Sequence, residues 1–145
     1  MSDHDIIVRL VLATLLGGLV GLEREAAGRA AGLRTHILVC VGSALVMMTS
    51  IHLFETYKGI TDVDPSRLAA QVVSGIGFLG AGTIIQSGSS VKGLTTAASL
   101  WAVASVGLAV GCGFIKAASL VTVIMLFGLF VIGKIMRQFF PDSPA

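Results

Sequence analysis

Residues 94–112 read LTTAASLWAVASVGLAVGC, nineteen positions without one Asp, Glu, Lys or Arg. A run of that length and character matches the ~20 residues an α-helix needs to cross a bilayer. Working outward, four further runs of the same kind occur at about 6–22, 37–54, 68–86 and 117–133. The first holds one charge, Arg9, near its start, where a long side chain can snorkel to the interface. It follows Asp3 and Asp5, not a basic segment, so it reads as a membrane helix and not as a cleaved signal peptide. The first and last runs are short for a span, and helical continuation into their charged flanks is expected to fill the deficit. Runs this long do not fit the alternating strands of a barrel. The sequence therefore predicts an all-α integral membrane protein of five transmembrane helices, built as a single domain over 1–145.

Composition excludes the alternatives. Of 145 residues, 54% are hydrophobic and 12% are charged, against about 25% charged in an ordinary soluble domain. A water-soluble fold, a disordered chain and a secreted disulfide scaffold are all ruled out. The formal net charge of +2 provides no nucleic-acid surface. Cys40 and Cys112 fall near opposite ends of their helices, so they read as small packing residues and not as a disulfide. Arg24, Arg29, Arg34, Lys92, Lys134 and Arg137 lie on one side of the predicted spans, and Arg9, Lys58, Arg67 and Lys116 on the other. The excess of basic residues belongs in the cytoplasm, which places the N-terminus outside and the C-terminus inside.

Glycine is placed, not scattered. Gly17–Gly21 and Gly107–Gly111 each have the spacing that lets two membrane helices approach closely. In the fourth run Thr95, Ala98, Ser99, Ala102, Ser105, Ala109, Cys112 and Gly113 form a stripe of small residues, expected to face protein in a central helix. The fifth run, rich in Leu, Val, Ile and Phe, is expected at the lipid-facing periphery. The third opens with Asp64-Pro65, a helix-start signal. It then carries Gln71, Ser74, Gly75, Gly77, Gly80 and Gly82. With Thr95, Thr96 and Ser99 these residues form a candidate intramembrane ligand or packing site. Their glycines either let neighbouring helices touch or mark a hinged, ligand-contacting segment. Gly75-Ile-Gly77-Phe-Leu-Gly80 matches the dinucleotide fingerprint in letters only, since it lies mid-membrane with no strand–turn–helix unit around it. Gly18-Leu-Val-Gly21 followed by Gly32-Leu33-Arg34-Thr35 parallels Gly77-Phe-Leu-Gly80 followed by Gly93-Leu94-Thr95-Thr96. Either helices 1–2 and 3–4 are parallel copies, or a glycine-rich chain matches itself by chance.

Glu23, Arg24 and Glu25 close the first helix and Arg34, Thr35 and His36 open the second. Glu23, Arg24, Glu25, Arg34 and Thr35 form a polar group at the cytoplasmic mouth, joined by Lys92, in which Glu25 and Arg34 are expected to be held close. It serves either as interfacial anchoring or as a functional cluster.

Gly21-Leu22-Glu23-Arg24-Glu25, Gly32-Leu33-Arg34-Thr35-His36, the stretch from Ala70 to Gly82, and Val91-Lys92-Gly93-Leu94-Thr95-Thr96-Ala97-Ala98-Ser99 together resemble the MgtC/SapB family. Four ordered motifs carry the resemblance, which runs from about residue 6 to 133. It implies a bacterial inner-membrane protein of about five helices, tied to magnesium limitation and, in some members, to virulence. It also implies a regulatory contact with the F-type ATP synthase. The family's virulence members continue into a cytoplasmic C-terminal domain, whereas this sequence ends at Ala145, so an activity needing that domain is not implied.

Three functions compete. The first is a regulatory or homeostatic factor working through helix–helix contact. The second is a transporter or channel with a Gly/Ser/Thr-lined path in an oligomer, disfavoured for coupled proton transport because the membrane centre has no acidic or basic residue. An enzyme is not expected, as no GxSxG, HExxH or paired mid-membrane carboxylates occur. No cofactor is expected either. Asp62 and Asp64 are weak candidates for a metal, too few oxygen ligands for a hard cation. Beyond the lipid bilayer, the glycine spacings on two helices predict a homodimer partner.

Overall fold

The computed structural model describes residues 1–133. Lys134 and Arg137 lie outside the described residues. The elements are α1 (Asp3–Ala26), α2 (Leu33–Tyr57), α3 (Ser66–Ala81), a hairpin of β1 (Ile85–Ser87) and β2 (Ser90–Lys92), α4 (Leu94–Gly111) and α5 (Ile115–Phe127). A π-helical turn, Gly128–Ile132, follows α5. α1, α2 and α4 are long and apolar enough to cross a membrane, while Ile115–Val131 is a shorter apolar helix.

α1 begins inside its charged flank because Ser2 and Asp5 form a reciprocal cap. The Asp5 amide donates to Ser2 Oγ at 3.2 Å and the Ser2 amide to the Asp5 carboxylate at 3.1 Å. The helix then runs 24 residues, about 36 Å.

One stripe of α2 receives the glycine pairs of two other helices. A Cβ on Gly17 would lie 2.7 Å from Cys40 Cβ and 2.9 Å from the His36 carbonyl oxygen. One on Gly21 would lie 2.7 Å from Leu33 Cα. Higher on the same stripe, a Cβ on Gly107 would strike the Cys40 carbonyl, and one on Gly111 would lie 2.5 Å from that of Ala44. Backbone meets backbone at all four places, which only glycine allows. Around them Ala13, Cys40, Ala44, Val103, Val106, Val110 and Ala118 form an apolar core at 0–2% exposure.

α4 is the central helix, packed on α1, α2, α3 and α5. Its buried face differs from the expected stripe. Thr96, Ser99, Leu100, Val103, Ala104, Val106, Gly107, Val110 and Gly111 are buried, whereas Thr95, Ala98 and Cys112 are exposed. The glycine pair sets which face turns inward, and valines fill the space beside it; small size alone does not mark a buried face. The carboxyl end of α4 is closed twice. Gly113, at φ +87°, lets the Phe114 amide return to the Ala109 carbonyl at 2.8 Å. Arg9, expected to snorkel, instead donates from Nη1 to the Gly111 carbonyl at 2.6 Å.

α5 is peripheral, with Leu120, Val123, Ile124 and Phe127 about 60% exposed. α3 ends at Ala81, not at residue 86. Thr83 donates its amide and hydroxyl to the Gly80 carbonyl, closing a tight turn. The remaining residues pair as a hairpin, Ile85 opposite Lys92, across a Gly88-Ser89 turn in which Gly88 has φ +60°. α3 begins at Ser66 with Pro65 at its cap position, one residue later than the expected cap, Asp64. Asp64 Oδ1 accepts from the Ser66 amide at 2.8 Å. Gly80 meets Ala97 just inside α4 in ordinary van der Waals contact, its would-be Cβ 3.5 Å from Ala97 Cβ, looser than the approach of Gly21 to Leu33 just inside α2. Cys40 and Cys112 are both free.

These contacts set the sign of glycine substitutions. Gly107→Ala is expected to destabilise the chain by about 1–3 kcal/mol, because the Cys40 carbonyl cannot yield like a side-chain tip. Gly42 in α2 has nothing within 4 Å of its would-be Cβ. Gly42→Ala is therefore expected to be neutral or to stabilise by up to about 1 kcal/mol. Thermal unfolding in detergent checks both.

Candidate functional site

At the end of the bundle where α1 turns into α2, polar side chains collect in the interior. Gly21 brings α1 so close to α2 that His36, one turn inside α2, is fully buried. Its Nδ1 lies 2.9 Å from the Gly32 carbonyl oxygen, which can only accept, so Nδ1 carries a proton. Its Nε2 lies 3.1 Å from Ser99 Oγ on α4. Ser99 Oγ also lies 2.8 Å from the Thr96 carbonyl oxygen, so its single proton has two acceptors within reach when the ring is neutral. Imidazole and hydroxyl tie α2 to α4 beneath the apolar core.

Beside this bridge Arg24, 3% exposed, pairs with the carboxylate of Glu23. Burial excludes competing water and also costs both ions their hydration, so the pair matters chiefly because removing either partner would leave the other charge uncompensated. Glu25 does something different from what its spacing foretold. Its Oε2 accepts from the Leu33 amide at 2.9 Å, capping the first turn of α2 across the loop. A Cβ on Gly32 would run into this carboxylate. Arg34 is exposed and forms no ion pair among the described residues, so the expected Glu25–Arg34 pair is replaced by a backbone cap. An orphan amide at a helix start competes well for a carboxylate, because it is fixed in place and a long surface guanidinium is not. Thr35 is half-buried and Lys92 is exposed on the hairpin.

The second candidate group is not gathered into one site. Thr96, Ser99 and Gly80 are buried. Gln71, Ser74, Gly75, Gly77, Gly82 and Thr95 are exposed, and on α3 Gln71, Ser74 and Gly75 lie on the face opposite its buried Ile76 and Gly80. Asp62 and Asp64 line a cavity of about 300 Å³ together with Lys58, whose ammonium competes with any cation there. Ser66 occupies an oxygen of Asp64 and holds its carboxyl below the ordinary carboxylate range. That cap is present above the usual carboxylate pKa and is lost only as pH falls through the lowered value. No group of three or more His, Cys, Asp or Glu side chains suited to a metal occurs among the described residues.

The sequence places His36 only at the opening of the second helix, with no sign of its bridge to α4. The residues involved are Gly32, one helical turn before it, and Thr96 and Ser99 at the corresponding depth of the suspected repeat. Arg9 carried only the general signal that a charge in an apolar run needs a partner.

The profile of the MgtC family matches residues 10–138. The chain belongs to the MgtC family. Protein MgtC of Brucella abortus strain 2308 is 50% identical over 114 residues, covering 79% of this chain and 45% of that protein. YhiD of Escherichia coli K12, provisionally named a magnesium transporter, is 47% identical over 111 residues, 75% of this chain and 52% of YhiD. Protein SapB of Bacillus subtilis strain 168 is 40% identical over 144 residues, 97% of this chain and 62% of SapB. The chain thus spans about half the length of several of these MgtC-family relatives. No solved structure matches it.

The geometry separates Glu25 from Arg34. Glu25→Ala is expected to lower stability by about 1 kcal/mol, the usual worth of a lost helix cap, and Arg34→Ala to have little effect. The double charge swap, Glu25→Arg with Arg34→Glu, should be no better than Glu25→Arg alone. Melting of the four variants in detergent checks this; rescue by the double swap would restore the ion pair.

Proposed function

We propose that this chain is a non-enzymatic regulatory factor of magnesium homeostasis in the bacterial inner membrane, acting through contacts of its helices with other membrane proteins. One observation supports this reading over a conduit within the chain. Beyond His36, Ser99 and Thr96 the interior is filled mainly by Ala13, Cys40, Ala44, Val103, Val106 and Val110, and the hydroxyls buried farther along are single small ones, Ser43, Ser50 and Thr122, of which Ser50 and Thr122 are taken up by the Pro65 and Ala118 carbonyls. The magnesium connection draws on the name of YhiD and on the family resemblance. The F-type ATP synthase is the proposed partner by that resemblance. The N-terminus is proposed outside, following the distribution of basic residues.

A second reading, passage of a small solute or ion, draws on outward-facing Gln71, Ser74 and Thr95. A path along them would run between copies of the chain and not through one.

Two measurements on the same protein separate these readings. In liposomes loaded with a magnesium-sensitive dye, the purified chain should admit no more Mg²⁺ than lipid alone. From native membranes the tagged chain should co-purify with synthase subunits. Mg²⁺ entry that disappears in Gln71→Ala would overturn the regulatory reading in favour of transport.

A further inference from the structure

We propose that the outward face of α3, formed by Gln71, Ser74, Gly75 and Phe78, is where a second copy of this chain docks. The first support is depth. Ser50 of α2 donates its hydroxyl to the Pro65 carbonyl at 2.7 Å, which fixes the start of α3 beside Ser50. α3 then runs antiparallel to α2, so Gln71, six residues on, lies about 9 Å deeper. That is the level of Ala44 and Leu45, the middle of Leu33–Tyr57. The amide of Gln71 is therefore level with the middle of α2, one of the helices long and apolar enough to cross a membrane.

The second support is that nothing in the chain satisfies this face. Gln71 and Ser74 are exposed and their side chains make no hydrogen bond among the described residues. Phe78 is 83% exposed. The would-be Cβ positions of Gly75 and Gly77 meet nothing within 4 Å, whereas those of Gly17, Gly21, Gly107 and Gly111 all meet α2. The glycine pairs first expected to build a dimer are used inside one chain, whereas Gly75 and Gly77 of α3, like Gly42 of α2, stay open. Lipid tails offer a buried amide no partner.

The third support identifies the occupant. No Asp, Glu, Lys or Arg occurs between Arg67 and Lys92, so the face offers hydrogen bonds and close approach but no charge. A primary amide presents both a donor and an acceptor. Two Gln71 side chains related by a two-fold axis satisfy each other reciprocally, and the glycine beside them lets the helices come near. A second copy supplies the complementary face without any further feature. This inference is independent of whether the chain handles magnesium.

Cysteines added one at a time at positions 70–78 in a Cys112→Ala background, where the buried Cys40 is the remaining native thiol, test it in the purified chain in liposomes under oxidising conditions. Gln71→Cys, Ser74→Cys, Gly75→Cys and Phe78→Cys should give disulfide-linked dimers at least about fivefold above Val72→Cys and Ile76→Cys, which face the bundle. Separately, Gln71→Leu should weaken association, measured by energy transfer between labelled copies, about tenfold without changing helicity. Only lipid and this chain are present, so a face made for lipid or for a foreign protein gives no such dimers and overturns the proposal. Equal yields at all positions, or unchanged association in Gln71→Leu, overturn it as well.

Discussion

Everything in this bundle depends on the contact between glycine Cα atoms and the backbone of α2 from Leu33 to Met47. In a bilayer, lipid tails are as apolar as leucine, so helices are not driven together by water. They are held by the number of atoms that can come within van der Waals range and by weak Cα–H···O contacts between backbones. Gly17 and Gly21 give α1 that range over Leu33–Cys40, and Gly107 and Gly111 give it to α4 just above. Cys40 belongs to both contacts. Its side chain meets Gly17 and its carbonyl meets Gly107, so two helices are registered against one residue of a third.

The polar cluster follows from this registration. With α1 and α4 fixed on the same stripe of α2, His36 has no route to solvent and finds its partners in Gly32 and Ser99. Arg24 is carried into the same region and pairs with its neighbour Glu23. Glu25, on the outer side of the turn, closes the start of α2. A carbonyl, an imidazole, a hydroxyl and an ion pair thus lie together at one end of the bundle, where backbone ends also need partners. At the other end of α4 the same need is met by Arg9 on Gly111. Membrane helices spend their few polar side chains on each other's ends, and in an MgtC-family chain this arrangement makes a rigid frame bearing an exposed third helix.

Much of this was legible in the sequence, for identifiable reasons. Charge-free runs marked the helices because an unpaired charge in hydrocarbon is costly, and glycines four residues apart marked the close contacts because no other residue permits them. The buried face of α4 was misread because size was taken as the measure of burial. Lipid and protein surround a membrane helix with equally apolar atoms, so Ala98 and Ala102 carry no sign of which side they face. The hairpin after Ala81 was hidden for a different reason. Ile84, Ile85 and Val91 are as apolar as helix residues, and three-residue strands are too short to show alternation. The Glu25 cap was invisible because its partner, the Leu33 amide, is backbone and has no letter of its own.

The central claim is the seating of α4 on the backbone of α2, and solid-state NMR of the chain in lipid tests it most directly. With ¹³C at Gly107 Cα and at the Cys40 carbonyl carbon, the account predicts a through-space cross-peak of the kind given by carbons within about 5 Å, the range that Cα–H···O packing between helices imposes. Both resonances present with no cross-peak between them would contradict it.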